Sequence, residues 1–127
     1  EEFHEAFISA KQEFAERVMI SVRHDHMTCT ILLDDVICFE AYGDGTYIYT
    51  ADAVYTSARS LRSWLDEVGE HYFYQVHRSY VISLRHIQSI ELNTITMRGQ
   101  NLEVPVSRRS RTALKEAFQA YMKENAR

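Results

Sequence analysis

Residues 36–49 read VICFEAYGDGTYIY, and their reading decides the fold. Val36–Tyr42 and Thr46–Ala51 are rich in Val, Ile, Thr, Tyr and Phe, whose branched or aromatic side chains suit a pleated, half-buried strand. Gly43-Asp44-Gly45 stands between them, and its glycines suit the positive φ of a tight reversal. The stretch is a hairpin with an exposed tip. Spacing alone gives that tip no role beyond chain reversal.

The same character extends outward on both sides. Arg17–Val22, Met27–Leu33 and Val54–Thr56 have strand composition, separated by the polar breaks His24-Asp25-His26 and Asp34-Asp35. Ser57–Val68, SARSLRSWLDEV, puts Leu61, Trp64, Leu65 and Val68 at helical spacing and stops at Gly69, a suitable C-cap. Tyr72–Leu84, YFYQVHRSYVISL, is aromatic and β-branched, with a polar interruption at Gln75, His77, Arg78 and Ser79. Ile87–Leu92, Thr94–Met97 and Leu102–Val106 read as short strands, with a turn at Arg98–Asn101. The stretch 107–123 predicts a helix with Ser107 as its N-cap and an apolar stripe from Ala113 to Met122.

Residues 1–16 carry Phe3, Phe7, Ala10 and Phe14 along one helical face. This predicts an N-terminal helix, either packed on its own domain or linking and dimerising below a missing upstream domain. Two heptads are too short to hold a dimer alone. The expected architecture is therefore mostly β: small antiparallel sheets, a short helix mid-chain, a C-terminal helix and an N-terminal linker helix. Residues 17–127 form the domain proper.

Composition narrows the function classes. The chain has 127 residues, 46% hydrophobic and 25% charged, with four Gly and one Pro, which suits one folded domain and excludes collagen-like and disordered classes. The longest apolar run is Val36–Phe39, far below the roughly 18 residues that span a bilayer. No signal-peptide layout opens the sequence, which is expected to be a piece of a longer protein, and its sparse cysteines favour a cytoplasmic setting. Cys29 and Cys38 are too few for a disulfide framework and are expected as reduced thiols. His24 and His26 could offer two metal ligands, but no further Cys/His set accompanies them, and a solvated turn is the simpler reading. Without a nucleophile motif, a phosphate loop or a metal set, no catalytic residue, metal or cofactor is expected.

The formal charge of −4 conceals an asymmetry. Residues 1–40 hold three Lys/Arg against nine Asp/Glu, residues 41–76 two against five, and residues 77–127 nine against four, which gives −6, −3 and +5. A basic edge on an acidic chain can still attract phosphate, since that attraction depends on where Lys and Arg sit. The densest cluster is Arg108, Arg109 and Arg111 at the expected start of the last helix. A helix N-terminus already carries partial positive charge, so three arginines there oppose the macrodipole unless an anion faces them. A plain solvated turn is the alternative.

Tyr74–Leu84 with His86-Ile87-Gln88-Ser89-Ile90 and Val104-Pro105-Val106-Ser107-Arg108-Arg109 resembles the LytTR-type DNA-binding domain of bacterial two-component response regulators. Asp35–Ala41 resembles the family's strand before the first DNA-contacting loop, and the likeness runs in order from about Arg17 to Tyr121. Ser83 stands where the family usually has Asn. The resemblance implies an elongated β fold of three small antiparallel sheets that inserts loops, not a recognition helix, into double-stranded promoter DNA bearing paired direct repeats. It also implies an upstream receiver domain. Three regions carry over as contacts: 43–47, 75–79 and 107–111. Thr46, Arg78 and Arg109 fall at base-touching positions, Ser79, Ser107, Arg108 and Ser110 at backbone-touching ones, and Arg111 completes the basic cluster. A one-residue slip would move the first contact from Thr46 to Gly45 or Tyr47. The expected state is a monomer off DNA with two copies on it, no membrane partner and no enzymatic activity. A protein-interaction module of the same fold is the alternative.

Overall fold

A computed structural model describes residues 18–125. Ten strands are present among them: β1 (Met19–His24), β2 (Met27–Leu32), β3 (Cys38–Tyr42), β4 (Gly45–Tyr49), β5 (Val54–Ser57), β6 (Phe73–His77), β7 (Tyr80–Ser83), β8 (Ile87–Ile90), β9 (Thr94–Met97) and β10 (Glu103–Pro105). The helices are α1 (Leu61–Val68) and α2 (Ser110–Asn125). The predicted linker helix at 1–16 lies outside the described residues.

All pairings are antiparallel, in a seven-stranded sheet ordered β2-β1-β5-β4-β3-β7-β6 and a three-stranded sheet ordered β10-β9-β8. The resemblance implied three sheets; here there are two. The difference is one seam, because β1 joins β5 through the single pair Arg23↔Thr56 and so carries the β1–β2 hairpin into the larger sheet.

The run Val36–Phe39 is buried on both sides, which is why it lacks the polar alternation of a half-exposed strand. Phe39 enters a core shared with Ile48, Trp64, Phe73 and Val81, its ring 5.3 Å from that of Trp64 and 5.4 Å from that of Phe73. Cys38 points the opposite way, into a second core with Val76, Ile82, Ile95, Met97 and Leu114. α1 covers the first core and α2 the second. Both cysteines are free, and burial pushes the Cys38 thiol far above its usual range, with the Glu40 carboxylate adding to the shift.

Several boundaries move for identifiable reasons. β1 runs on to His24 because Asp25 and His26, at φ 48° and 68°, make the two-residue reversal into β2. α1 starts at Leu61 instead of Ser57, since β5 continues to Ser57 and Ser60 caps the helix by accepting from the Ser63 amide at 3.1 Å. Gly69 closes α1 in right-handed conformation, its amide bonded to the Leu65 carbonyl. Arg78 and Ser79 fold Tyr72–Leu84 into the β6–β7 hairpin.

α2 begins at Ser110, three residues later than predicted, so Ser107 is not its N-cap. The Ser107 amide is engaged elsewhere, donating to the Val76 carbonyl at 2.9 Å, while its hydroxyl donates to Ser110 Oγ at 2.9 Å. Arg108 and Arg109 therefore lie in the turn before the helix rather than in its first turn.

Candidate nucleic-acid interface

The larger sheet sets three chain segments along one edge. β3 pairs with β7 through Glu40↔Tyr80, and the Ala41 amide donates to the Ser79 carbonyl at 2.8 Å, so the β3–β4 tip stands beside the β6–β7 tip. On the other side of β6, the Ser107–Val76 bond brings in the turn that precedes α2. Val76 is available because a bulge between Gln75 and His77 leaves it without a partner in β7. The regions 43–47, 75–79 and 107–111 are thus consecutive along this edge.

Their side chains behave differently. Arg78, Arg108 and Arg109 are exposed, while Ser79, Ser107 and Ser110 are half-buried. The Ser79 amide donates to His77 Nδ1 at 3.1 Å, which together with the Ala41 bond holds the Arg78 turn by both polar groups of the Ser79 backbone. No acidic residue occupies the first turn of α2, whose opening amide, that of Ser110, donates to the Ser107 carbonyl at 3.1 Å, and the exposed arginines before it add to the positive end of the helix dipole.

Arg111 has a structural tie. Its Nη2 donates to Asn93 Oδ1 at 2.7 Å and its Nε is buried without a partner, strapping α2 to the β8–β9 turn. Asn93 also accepts the Val106 amide through its carbonyl.

Thr46 lies buried where the sequence places a contact on an exposed tip. It is only 2% exposed, and its hydroxyl donates to the Arg59 carbonyl at 2.7 Å. Pleat parity explains this: Thr46 is two residues before Ile48, a core side chain, and so shares its inward face. The parity was readable in the sequence once Ile48 was assigned to the core.

The opposite face of the same hairpin carries Tyr47, the slip alternative to Thr46, and Tyr42, which the sequence reading did not single out. Tyr42 is 62% exposed, and its ring lies 4.4 Å from that of Tyr47. Behind them Glu40 accepts from Tyr80 Oη at 2.8 Å and from Tyr49 Oη at 2.5 Å. Desolvation, the hydrogen bond to Glu40 and the negative charge of Glu40 push the Tyr80 phenol up to about 12 and that of Tyr49 higher still. Desolvation, Tyr42 and Glu40 likewise raise Tyr47, so these phenols remain hydrogen-bond donors at neutral pH.

Among the described residues no three His, Cys, Asp or Glu side chains converge as a metal site, and no helix is long and apolar enough to cross a membrane.

The family model for the LytTr DNA-binding domain matches residues 26–119. The chain belongs to this family. The match takes in the hairpin tips and the arginine turn. The chain is also similar to the transcriptional regulatory protein YpdB of Escherichia coli K12 and of Shigella flexneri, 29% identical in each case over 98 residues, covering 73% of this chain and 40% of the relative. It thus spans well under half the length of these relatives. Among solved structures, a Bacillus cereus LytTr DNA-binding domain superposes with a TM-score of 0.68 at 20% identity, covering 81% of this LytTr chain and 97% of that one, which shows the shared fold.

Proposed function

We propose that this domain binds double-stranded promoter DNA sequence-specifically, inserting the β6–β7 tip and the turn before α2 into successive grooves as the output domain of a response regulator. The observation that carries the reading is the edge itself: exposed Arg78 and the exposed pair Arg108–Arg109 stand on neighbouring segments joined through the Ser107–Val76 bond. Arginine forks can pair with phosphate and can read guanine bidentately, while half-buried Ser79 and Ser110 offer short hydroxyl donors to the backbone and Ser107 would do so by exchanging its bond to Ser110 Oγ for a phosphate. Arg78 and Arg109 are assigned to bases, and Ser79, Ser107, Arg108 and Ser110 to phosphates and sugars. Arg111, held by Asn93, positions the arginine turn and contributes charge.

Membership of a DNA-binding family favours this reading over a protein-interaction module, and it calls for no catalytic step. In the intact protein a receiver domain would precede the LytTr part, two copies would load on paired direct repeats, and the site of action would be the cytoplasm. Fluorescence anisotropy on duplexes recovered by in vitro selection tests the proposal. Log K should fall linearly with log salt, with a slope equivalent to several phosphates. Equal affinity for selected and scrambled duplexes, or affinity insensitive to salt, would overturn it.

A further inference from the structure

We infer that the cleft between the two sheets binds a small apolar α-amino acid as its zwitterion, with Asp35 and Asp52 taking the ammonium group and Arg98 the carboxylate. The cleft lies at the end of β3 and β4 opposite the Gly43–Gly45 tip, away from the arginine edge.

Its volume is about 350 Å³, within the range of small-ligand pockets. The floor is apolar, formed by Ile31 of β2 and by Ile37 immediately before β3. The walls come from turns. Asp35 ends the 3-10 turn Leu33–Asp35, Asp52 stands between β4 and β5, His86 ends the 3-10 turn Leu84–His86, and Arg98 opens the β9–β10 turn.

These walls are held by the protein itself. The Arg98 amide donates to the His86 carbonyl at 2.8 Å, and Gln100 Nε2 donates to the Thr50 carbonyl, which ties the β9–β10 turn to the β4–β5 turn. Gly99, at φ 100°, lays its backbone directly on the floor, where a Cβ would stand 2.7 Å from Ile37 Cδ1. A site assembled in advance spends little ordering energy on its ligand.

The charges of the cleft are not paired with each other. Asp34 is bound to Arg85, but among the described residues neither the Asp35 and Asp52 carboxylates nor the Arg98 guanidinium enters an ion pair. His86 Nε2 donates to the Asp34 carbonyl at 2.7 Å, which leaves Nδ1 of the neutral ring as an acceptor. Opposite charges that line one cleft without touching are bridged by a ligand that carries both. A bare amine leaves Arg98 as a like charge beside it, and a bare carboxylate meets two like charges. The side chain of the amino acid leaves water against Ile31 and Ile37.

Backbone amide signals of the chain are followed by NMR during titration with L-leucine, L-methionine and L-phenylalanine, each beside its N-acetyl and carboxamide forms. At least one free amino acid should shift Ala51, Tyr55 and Gly99 saturably, with millimolar or tighter affinity. Its blocked forms should bind about 10-fold more weakly, the loss of one charged hydrogen-bonded group. The double variant Asp35→Asn, Asp52→Asn and the variant Arg98→Gln, all at exposed positions, should melt as wild type does and lose binding by about 10-fold or more. Arg62→Gln, on exposed α1 surface outside the cleft, should bind as wild type. No saturation by any of the three amino acids, equal binding of free and blocked forms, or full binding by the folded cleft variants would overturn the proposal. Arg78 and Arg109 take no part in it, so each of these outcomes leaves the DNA-binding reading untouched.

Discussion

Val76, the residue of β6 that has no partner in β7, gives its carbonyl to the amide of Ser107 at 2.9 Å. The bulge thereby does two things at once. It turns the Val76 side chain fully into the second core and frees the polar group that docks the arginine turn against the sheet. The position of Arg108 and Arg109 relative to Arg78 is consequently a property of the sheet, not of a free loop.

Arg78→Ala and Arg109→Ala should each weaken binding to a selected duplex by roughly 1–3 kcal/mol and relax preference at particular base pairs. Lys123→Ala is the control, since Lys123 sits in the last turn of α2, about 20 Å from its start at 1.5 Å per residue, and should change little. Titrations on single-base variants of the duplex, with melts to verify folding, decide it. The assignment is falsified if both folded arginine variants keep wild-type preference.

Thr46→Val should act on stability, not on DNA. Removing the hydroxyl leaves the Arg59 carbonyl without this donor, at a cost of about 1–3 kcal/mol in denaturant unfolding, while the folded variant binds DNA as wild type does. A large loss of affinity at unchanged stability would restore Thr46 as a contact.

Gly45→Ala should be more damaging than a place beside a hairpin tip suggests. The new Cβ meets the Ser57 carbonyl oxygen at 2.5 Å, so β4 and β5 must separate locally, with a cost of about 1–3 kcal/mol typical of overpacking. Gly43→Ala meets no atom within 4 Å but forces a side chain onto φ 56°, so its cost is conformational. Equal stability of wild type and Gly45→Ala in urea titrations would contradict the geometry.

The tyrosines around Glu40 set an alkaline limit. Their folded pKa values lie above the ordinary phenol value near 10, so the folded state holds protons that the unfolded chain has released. The stabilising preference for the neutral phenols is complete below pH 10 and is lost as the pH rises through about 12, where Tyr80 ionises. Stability should therefore decline over that window. Glu40→Gln should bring the Tyr80 transition down without restoring the ordinary value, because desolvation, the first cause, remains. Tyrosinate absorbance followed against pH tests this; an unshifted curve in Glu40→Gln would assign the whole effect to burial.

Local chemistry made much of this legible in sequence. β9 falls at Thr94–Met97 as composition predicts, and the apolar run Val36–Phe39 becomes a strand segment buried on both sides. What escaped depends on distant partners. The start of α2 was obscured because the Ser107 amide is claimed by Val76, 31 positions earlier, an event no helix-capping rule detects. Thr46, which the family resemblance implies as a contact, lies inward because a one-residue change of parity exchanges the two faces of a strand. Tyr42 and Tyr47 lie on the other face by the same parity.

The seam between β1 and β5 has a mechanical meaning. A pull applied at Val18 would load the β1–β2 hairpin first, and that hairpin meets the rest of its sheet through one ladder pair, Arg23↔Thr56, whereas β3 is held by five pairs to β4 and three to β7. The hairpin is expected to open before the β3–β7–β6 strands, its hold on the sheet resting on Ile20 and Val22 in the first core more than on ladder bonds. Tension entering from the N-terminal side would be dissipated in a sacrificial flap, and the arginine-bearing edge would keep its shape under load.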